Sequence, residues 1–283
     1  MKISNNKISN FSNLVWNKVE KKPRPQFMND VKILDYKDFK NIIFDKKKIN
    51  VIIKDLYKGN IFIIKKAFTK KFISKLKKDF LHFTKNNKNQ FFKMKENCPN
   101  FHRIIDKEVN KLYSIKAIKH SAYFFHWNGD PYKIFSKINS RWRYLKVLGG
   151  RKYNEFEKNT PKDGIVDRIQ ILKYPKGGSL ELHSDPYHNQ RMFISVYMSK
   201  KGDDFRSGGF FALNKKRQEI DLEDKIDIGD IGIGYATVKH GVKKIDKNNL
   251  KKNTSNCRWF MGLYSNDSDE KKNRITARSI KKN

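Results

Sequence analysis

Two hydrophobic rhythms divide the chain. In "TKKFISKLKKDFLHFTKNN", Phe72, Ile73, Leu76, Phe80, Leu81 and Phe83 recur at helical spacing, and Thr69 stands where an N-cap would. Ahead of this helix, "INVIIKD" (49–55) and "NIFIIKKAF" (60–68) are dense in Ile and Phe and read as short strands. Residues 1–45 are polar, interrupted by "KKPRPQF", and read as an N-terminal extension that is irregular or partly helical. Further helical pieces are expected between about 106 and 148, broken at "NGDP" (128–131).

From about residue 166 the rhythm shortens. "VDRIQILKY", "SLELHSD", "RMFISVYMS", "GGFFALN", "QEIDLE", "GDIGIGYATVKHGV" and "CRWFMGLYS" are brief strand-like runs separated by Gly, Pro and Asp turns. This spacing predicts an all-β sandwich or double-sheet jelly roll rather than alternating β/α units. The expected organisation is an extension (1–45) and one domain (46–283). That domain is helix-rich over 46–160, has a β core over about 165–265, and ends in a polar tail, 266–283.

Composition adds two constraints. With 21 Phe and 12 Tyr the chain can fill a core, although 33% of its residues are charged. Lys and Arg number 63 against 29 Asp and Glu, a formal net charge of +34 that would attract anionic partners. The basic residues are spread along the whole chain. No heptad-bearing basic helix, Cys/His finger spacing or aromatic RNA-binding signature accompanies them, so a nucleic-acid partner is not expected. Two cysteines, Cys98 and Cys257, make no disulfide framework. No apolar run suits a signal peptide or a spanning helix, and the expected setting is cytoplasmic.

Candidate chemistry lies in "LELHSDPYHN" (180–189). His183 and Asp185 share one face if the strand persists to Asp185, since alternate strand residues point the same way. His240, in "GDIGIGYATVKHGVKKID", supplies a second imidazole inside another strand-like run. Two His and one carboxylate can take one face of an octahedral ion and leave the opposite positions open, as in non-heme Fe(II) oxygenases. Arg258, in "NCRWFMGLYS", sits among apolar neighbours; it shares a face with Phe260 and Gly262, while Trp259 and Met261 point the other way. A guanidinium so placed suits bidentate pairing with a carboxylate.

The order His183-x-Asp185, His240, Arg258 resembles the 2-oxoglutarate/Fe(II)-dependent dioxygenase superfamily, in its prolyl-hydroxylase-like branch. "RIQILKYPKGGSLELHSDP" is similar to the strand that leads to the metal motif, and "RMFISVYMSKKGDDFRSGGFFAL" to the central hairpin. "GDIGIGYATVKHGVKKI" is similar to the Gly-Asp turn before the distal histidine, so the likeness covers about residues 165–265. "NIFIIKKAFTKKFISKLKKDF" also looks like the family's N-terminal strand and helix.

The resemblance implies a mainly β fold, with a double-stranded β-helix (jelly roll, cupin-like) core and a helical N-terminal half, making 46–283 a single catalytic domain. It implies Fe(II) held by the catalytic ligands His183, Asp185 and His240, with 2-oxoglutarate and O2 as co-substrates and ascorbate as a candidate reductant. Arg258 and Tyr174 would contact the distal carboxylate of 2-oxoglutarate, and Tyr197 would wall the pocket. The basic residue usually follows the distal histidine more closely; here "KKIDKNNLKKNTSN" lengthens the loop, and Lys251 or Lys252 within it are alternatives to Arg258.

The implied reaction is oxidative decarboxylation of 2-oxoglutarate to succinate and CO2, coupled to hydroxylation of a small molecule, peptide side chain or carbohydrate precursor. An anionic substrate is among the candidates, and His102, Arg103 and His188 are candidate substrate contacts. Arg141 and Arg143, in "SRWRY", could meet an anionic small molecule as well as they could lie on a surface helix. Asp185 argues for hydroxylation over halogenation, because related halogenases carry a small residue there. Tyr264 stands where nucleic-acid demethylases of the superfamily carry a second arginine. Two other readings stay open: a cupin-like metalloenzyme without 2-oxoglutarate, and a basic nucleic-acid-binding protein whose β-fold is catalytically silent. The substrate and the oligomeric state are not legible.

Overall fold

The computed structural model describes residues 4–246 and 257–276; Lys251 and Lys252 lie outside these. In chain order the elements are α1 (Asn5–Val19), β1 (Val31–Asp35), α2 (Tyr36–Ile42), α3 (Lys46–Tyr57), β2 (Ile61–Lys65), α4 (Lys70–Asn86), β3 (Phe101–Ile105), α5 (Lys107–Asn110), β4 (Ala117–Phe124) and α6 (Phe135–Leu148). The later half contributes β5 (Ile165–Tyr174), β6 (Ser179–His183), β7 (Met192–Tyr197), β8 (Gly209–Leu213), β9 (Glu219–Asp221), β10 (Ile231–Tyr235), β11 (His240–Lys243) and β12 (Arg258–Asp267).

The strands form two layers. The larger runs β1-β2-β10-β7-β12-β5-β4, with β3 on the far side of β4; the smaller runs β6-β11-β8-β9. Strand β4 joins the layers: its residues from His120 to Phe124 pair with β5, while Ala117 and Ile118 pair with β6. Only β1 and β2 among these pairs run parallel. One bent strand therefore closes one side of a flattened roll, and the inward faces of both layers meet between β6–β11 and β12–β5.

Helices cover the outside of the larger layer. Thr69 Oγ1 accepts the Phe72 N–H at the start of α4, as the sequence predicts. Phe72, Ile73, Leu76, Phe80 and Phe83 are buried, and Phe80 meets Trp259 of β12 edge-on at 5.1 Å. Leu81, placed by the sequence in the same stripe, points outward at 49% exposure.

Four expectations need correction. The stretch "INVIIKD" is not a strand but the middle of α3: Ile49, Ile52, Ile53 and Leu56 are buried at spacings of three and four, and Val51 is exposed. Asp45 caps this helix by accepting the Lys47 and Lys48 N–H groups. Isoleucine content suggested β, but the period decides, because each buried side chain contributes about 1.5–3 kcal/mol against a few tenths for propensity.

Residues 4–45 do not form a separate extension. Strand β1 pairs with β2, and Trp16 of α1 is fully buried, its indole donating to the Leu148 carbonyl at 2.7 Å. Widely spaced apolar residues in a polar stretch concealed this. The tail also starts later than residue 266: Asp267, Ser268 and Thr276 are buried, with Asp267 accepting the Ile275 and Thr276 N–H groups. The region 106–148 contains β4 as well as α6, and β4 carries part of the site.

Candidate metal centre

His183 ends β6 and His240 begins β11, and the two are direct cross-strand partners. Opposed residues in an antiparallel pair project from the same face, so both imidazoles enter the space between the layers, ring centroids 4.6 Å apart. Asp185 lies just past the end of β6, where its N–H donates to the Ala236 carbonyl at 2.9 Å. Its carboxylate returns to 3.6 Å from His183 Nε2 and 3.9 Å from His240 Nε2.

These separations are too long for direct hydrogen bonds. The three ligand atoms all lie within 4.8 Å of one another, a cluster of the size and donor type that could hold one metal ion. Both histidines are held in the tautomer that a metal requires. His183 Nδ1 meets the Glu181 carbonyl at 2.8 Å and His240 Nδ1 meets the Val238 carbonyl at 2.9 Å, so each Nδ1 donates and each Nε2 keeps its lone pair. Burial, reinforced by neighbouring His183, lowers the His240 pKa to about 4, which keeps its imidazole neutral. The rings of Phe193 and Phe210 flank it at 4.6 and 5.9 Å.

A cavity of about 480 Å³ opens from this triad, lined also by Arg258, Tyr174, Lys119 and Tyr264. Arg258 is the first residue of β12 and the register partner of Tyr174 on β5. It is 2% exposed, and its Nε donates to Glu223 Oε1 at 2.6 Å. The same Glu223 oxygen accepts the Phe210 N–H. Burial alone would depress the Arg258 pKa, but Glu223 more than offsets it, and the net direction is upward. As alternation predicts, Phe260 lines the cavity with Arg258 while Trp259 faces α4. Burial drives the Tyr174 hydroxyl pKa upward, so it stays protonated and can donate.

The Gly208-Gly209 pair makes the Glu223 contact possible. Gly209 has φ +112°, and a Cβ there would stand 2.5 Å from Glu223 Cγ and 2.6 Å from its Oε1. Sequence reading missed Glu223, the last residue of the strand-like run "QEIDLE".

The remaining predicted residues do not line this cavity. Tyr197 is fully buried one ring away, 6.0 Å from the Phe210 ring, with its hydroxyl packed where a Gly232 Cβ would be. His102 is buried on β3, bonded through Nε2 to the Asn87 carbonyl, with its ring against Phe83. Arg103 donates to the Phe92 carbonyl and lies over the rings of Phe101 and Tyr123. His188 is exposed and stacks on Tyr187 at 4.1 Å. Each sits on an element that the roll directs elsewhere, which proximity along the chain cannot reveal. Of the two arginines in "SRWRY", Arg143 pairs with Glu157, and Arg141 donates to the Ala67 carbonyl.

No protein-family model and no curated sequence matches the chain. Its structure is nonetheless similar to that of a full-length Neurospora crassa protein in complex with alpha-KG, at TM-score 0.52 and 11% identity, over 87% of this chain and 89% of that one. The same protein with alpha-KG and thymine aligns at TM-score 0.52 and 11% identity, over 84% and 86% of the chains. With alpha-KG and 5-formyluracil the values are 0.51 and 12%, over 83% and 84%. The fold is a double-stranded β-helix. Within this double-stranded β-helix, the triad occupies the smaller layer and Arg258 the facing strand of the larger one.

Proposed function

We propose that the chain is an Fe(II)- and 2-oxoglutarate-dependent oxygenase, converting 2-oxoglutarate, O2 and a substrate C–H to succinate, CO2 and the hydroxylated product. The observation that carries this reading is one cavity holding both a two-histidine, one-carboxylate triad and a buried arginine. The alpha-KG held by the Neurospora crassa structures supports the choice of co-substrate.

His183, Asp185 and His240 would hold the ion through Nε2, a carboxylate oxygen and Nε2. An Fe(II) held there would supply the redox chemistry with 2-oxoglutarate and O2. Arg258 would pair with the distal carboxylate of 2-oxoglutarate: Glu223 engages Nε and orients the fork, and a guanidinium has four further N–H groups. Tyr174 adds a hydroxyl donor beside it. Phe193, Phe210, Leu180 and Val242 make the walls apolar, which strengthens the polar contacts and limits water. Asp185 would serve as a carboxylate ligand where a halogenase carries a small residue, so hydroxylation is the favoured outcome over halogenation.

Among the described residues no helix is long and apolar enough to cross a membrane. Cys98 and Cys257 are both unpaired and buried, which supports a reducing, cytoplasmic setting.

The test is to load the protein anaerobically with Fe(II), add 2-oxoglutarate and O2, and measure succinate together with 2-oxoglutarate binding. Succinate formed in proportion to iron content is the expected result. Iron-loaded protein that neither binds 2-oxoglutarate nor forms succinate would overturn the reading.

A further inference from the structure

Beside the triad lies a second chamber of about 430 Å³ that shares only Asp185 and Tyr264 with the Arg258 cavity. Arg168 of β5 and Asn266 of β12 line it. Arg168 is the register partner of Tyr264, and its guanidinium sits between two rings, 5.0 Å from Tyr264 and 5.3 Å from Tyr123. One amino group donates to Gln170 Oε1 at 3.1 Å, but Nε is buried without a partner. Asn266 is 8% exposed, and its Nδ2 is likewise buried without a partner. Buried donors left unpaired cost about 1–3 kcal/mol each, and the two residues that carry them both line this one chamber.

The charge around the chamber identifies the acceptor. Among the described residues no carboxylate lies within ion-pair distance of Arg168 or of Lys119, which lines the adjoining cavity. Asp185 is the acid shared by both spaces, and it serves the triad. Asp267, next in sequence to Asn266, faces away and is saturated by Asn189, Lys271, Ile275 and Thr276. Gln190, the other amide in the wall, spends its donors on the Met192 and Leu263 carbonyls and its oxygen on the Ser265 N–H.

We propose that this chamber binds an oxyanion of the substrate, a carboxylate or phosphate, with Arg168 as counter-charge and Asn266 as second donor. The substrate is then a small organic acid or phosphate ester, held with its reactive carbon toward the Asp185 side of the metal. This assignment rests on the oxygenase reading for its chemistry, but not for its binding. Clamping between two rings fixes the arginine before the ligand arrives, which reduces the entropy lost on binding.

The test uses anaerobic protein loaded with Fe(II) and saturating 2-oxoglutarate, titrated calorimetrically with benzoate, phenyl phosphate and neutral benzamide. At least one acid should bind about tenfold or more tighter than benzamide, and Arg168→Met should remove about tenfold or more of that affinity. Arg168→Lys should recover part of it. The Fe(II)–2-oxoglutarate charge-transfer band should be unchanged in both variants. Preference for benzoate or for phenyl phosphate distinguishes the two oxyanion sources, and either result supports the site.

Benzamide binding as tightly as the acids, or no binding of either acid, overturns the proposal. So do acids that merely displace 2-oxoglutarate and are indifferent to Arg168→Met, since they would then sit at Arg258. Should Arg168→Met fail to fold, Asn266→Asp, which keeps the side-chain shape and adds a negative charge, must weaken acid binding. Failure of the oxygenase reading looks different: the charge-transfer band is missing from wild type, while metal-free protein still binds the acids through Arg168.

Discussion

Arg258 and Glu223 form a buried ion pair, 2.6 Å from Nε to Oε1, across the cavity end of the double-stranded β-helix. Arg258 is 2% exposed and Glu223 is 2% exposed, so neither charge has water to fall back on. Removing Glu223 strands the guanidinium and orphans the Phe210 N–H at once. Glu223→Ala should therefore lose about 3–5 kcal/mol of stability in urea unfolding. The double variant Glu223→Ala/Arg258→Met should lose less than the sum of the single changes, because no unpaired charge then remains.

Gly209 is the backbone condition for that pair. Gly209→Ala would place a methyl group 2.5 Å from Glu223 and force a positive φ on an L side chain. The expected cost exceeds about 1 kcal/mol, visible as a lower urea midpoint, with weaker 2-oxoglutarate binding in the same protein. A variant with unchanged midpoint would show that Glu223 can withdraw freely.

Asp185 contributes the only carboxylate of the triad. Asp185→Ala should lower Fe(II) affinity by more than the roughly 10–100-fold typical of losing an outer hydrogen-bond partner. Competition with a colorimetric chelator measures this, and circular dichroism should be unchanged because Asp185 is partly exposed at the end of a strand.

His126 predicts an acid-limb loss of stability. Burial holds its pKa at about 4, below the usual 6.5, and the nearby Lys146 ammonium acts in the same direction. Between these values the unfolded chain takes up a proton that the native ring refuses. Its contribution is therefore complete above about pH 6.5 and is lost progressively as pH falls toward 4. The loss should be on the order of 1–3 kcal/mol in metal-free protein, and His126→Gln should flatten that part of the stability–pH curve.

Part of the candidate triad was legible because its geometry is local. His183-x-Asp185 needs only the turn at the end of β6, and the alternation of Arg258 with Phe260 follows from the pleat of β12. Tyr197 was misplaced for the same reason: it lies on a recognisable strand, but whether a strand residue meets the cavity depends on which layer curls toward it. The α3 segment misled because its isoleucines were weighed by type and not by their three- and four-residue spacing.

The sequence alone therefore determined the closely spaced pair His183-x-Asp185, the strand-rich second half and the face on which Arg258 lies, since these depend on neighbours two to four residues apart. Only the tertiary structure decided that His183 faces His240, that Glu223 anchors Arg258, and that Arg168 and Asn266 line one chamber. Those relationships join residues far apart in the chain. They arise from the order and register in which twelve strands pair into two curled layers, a long-range property that local periodicity does not encode.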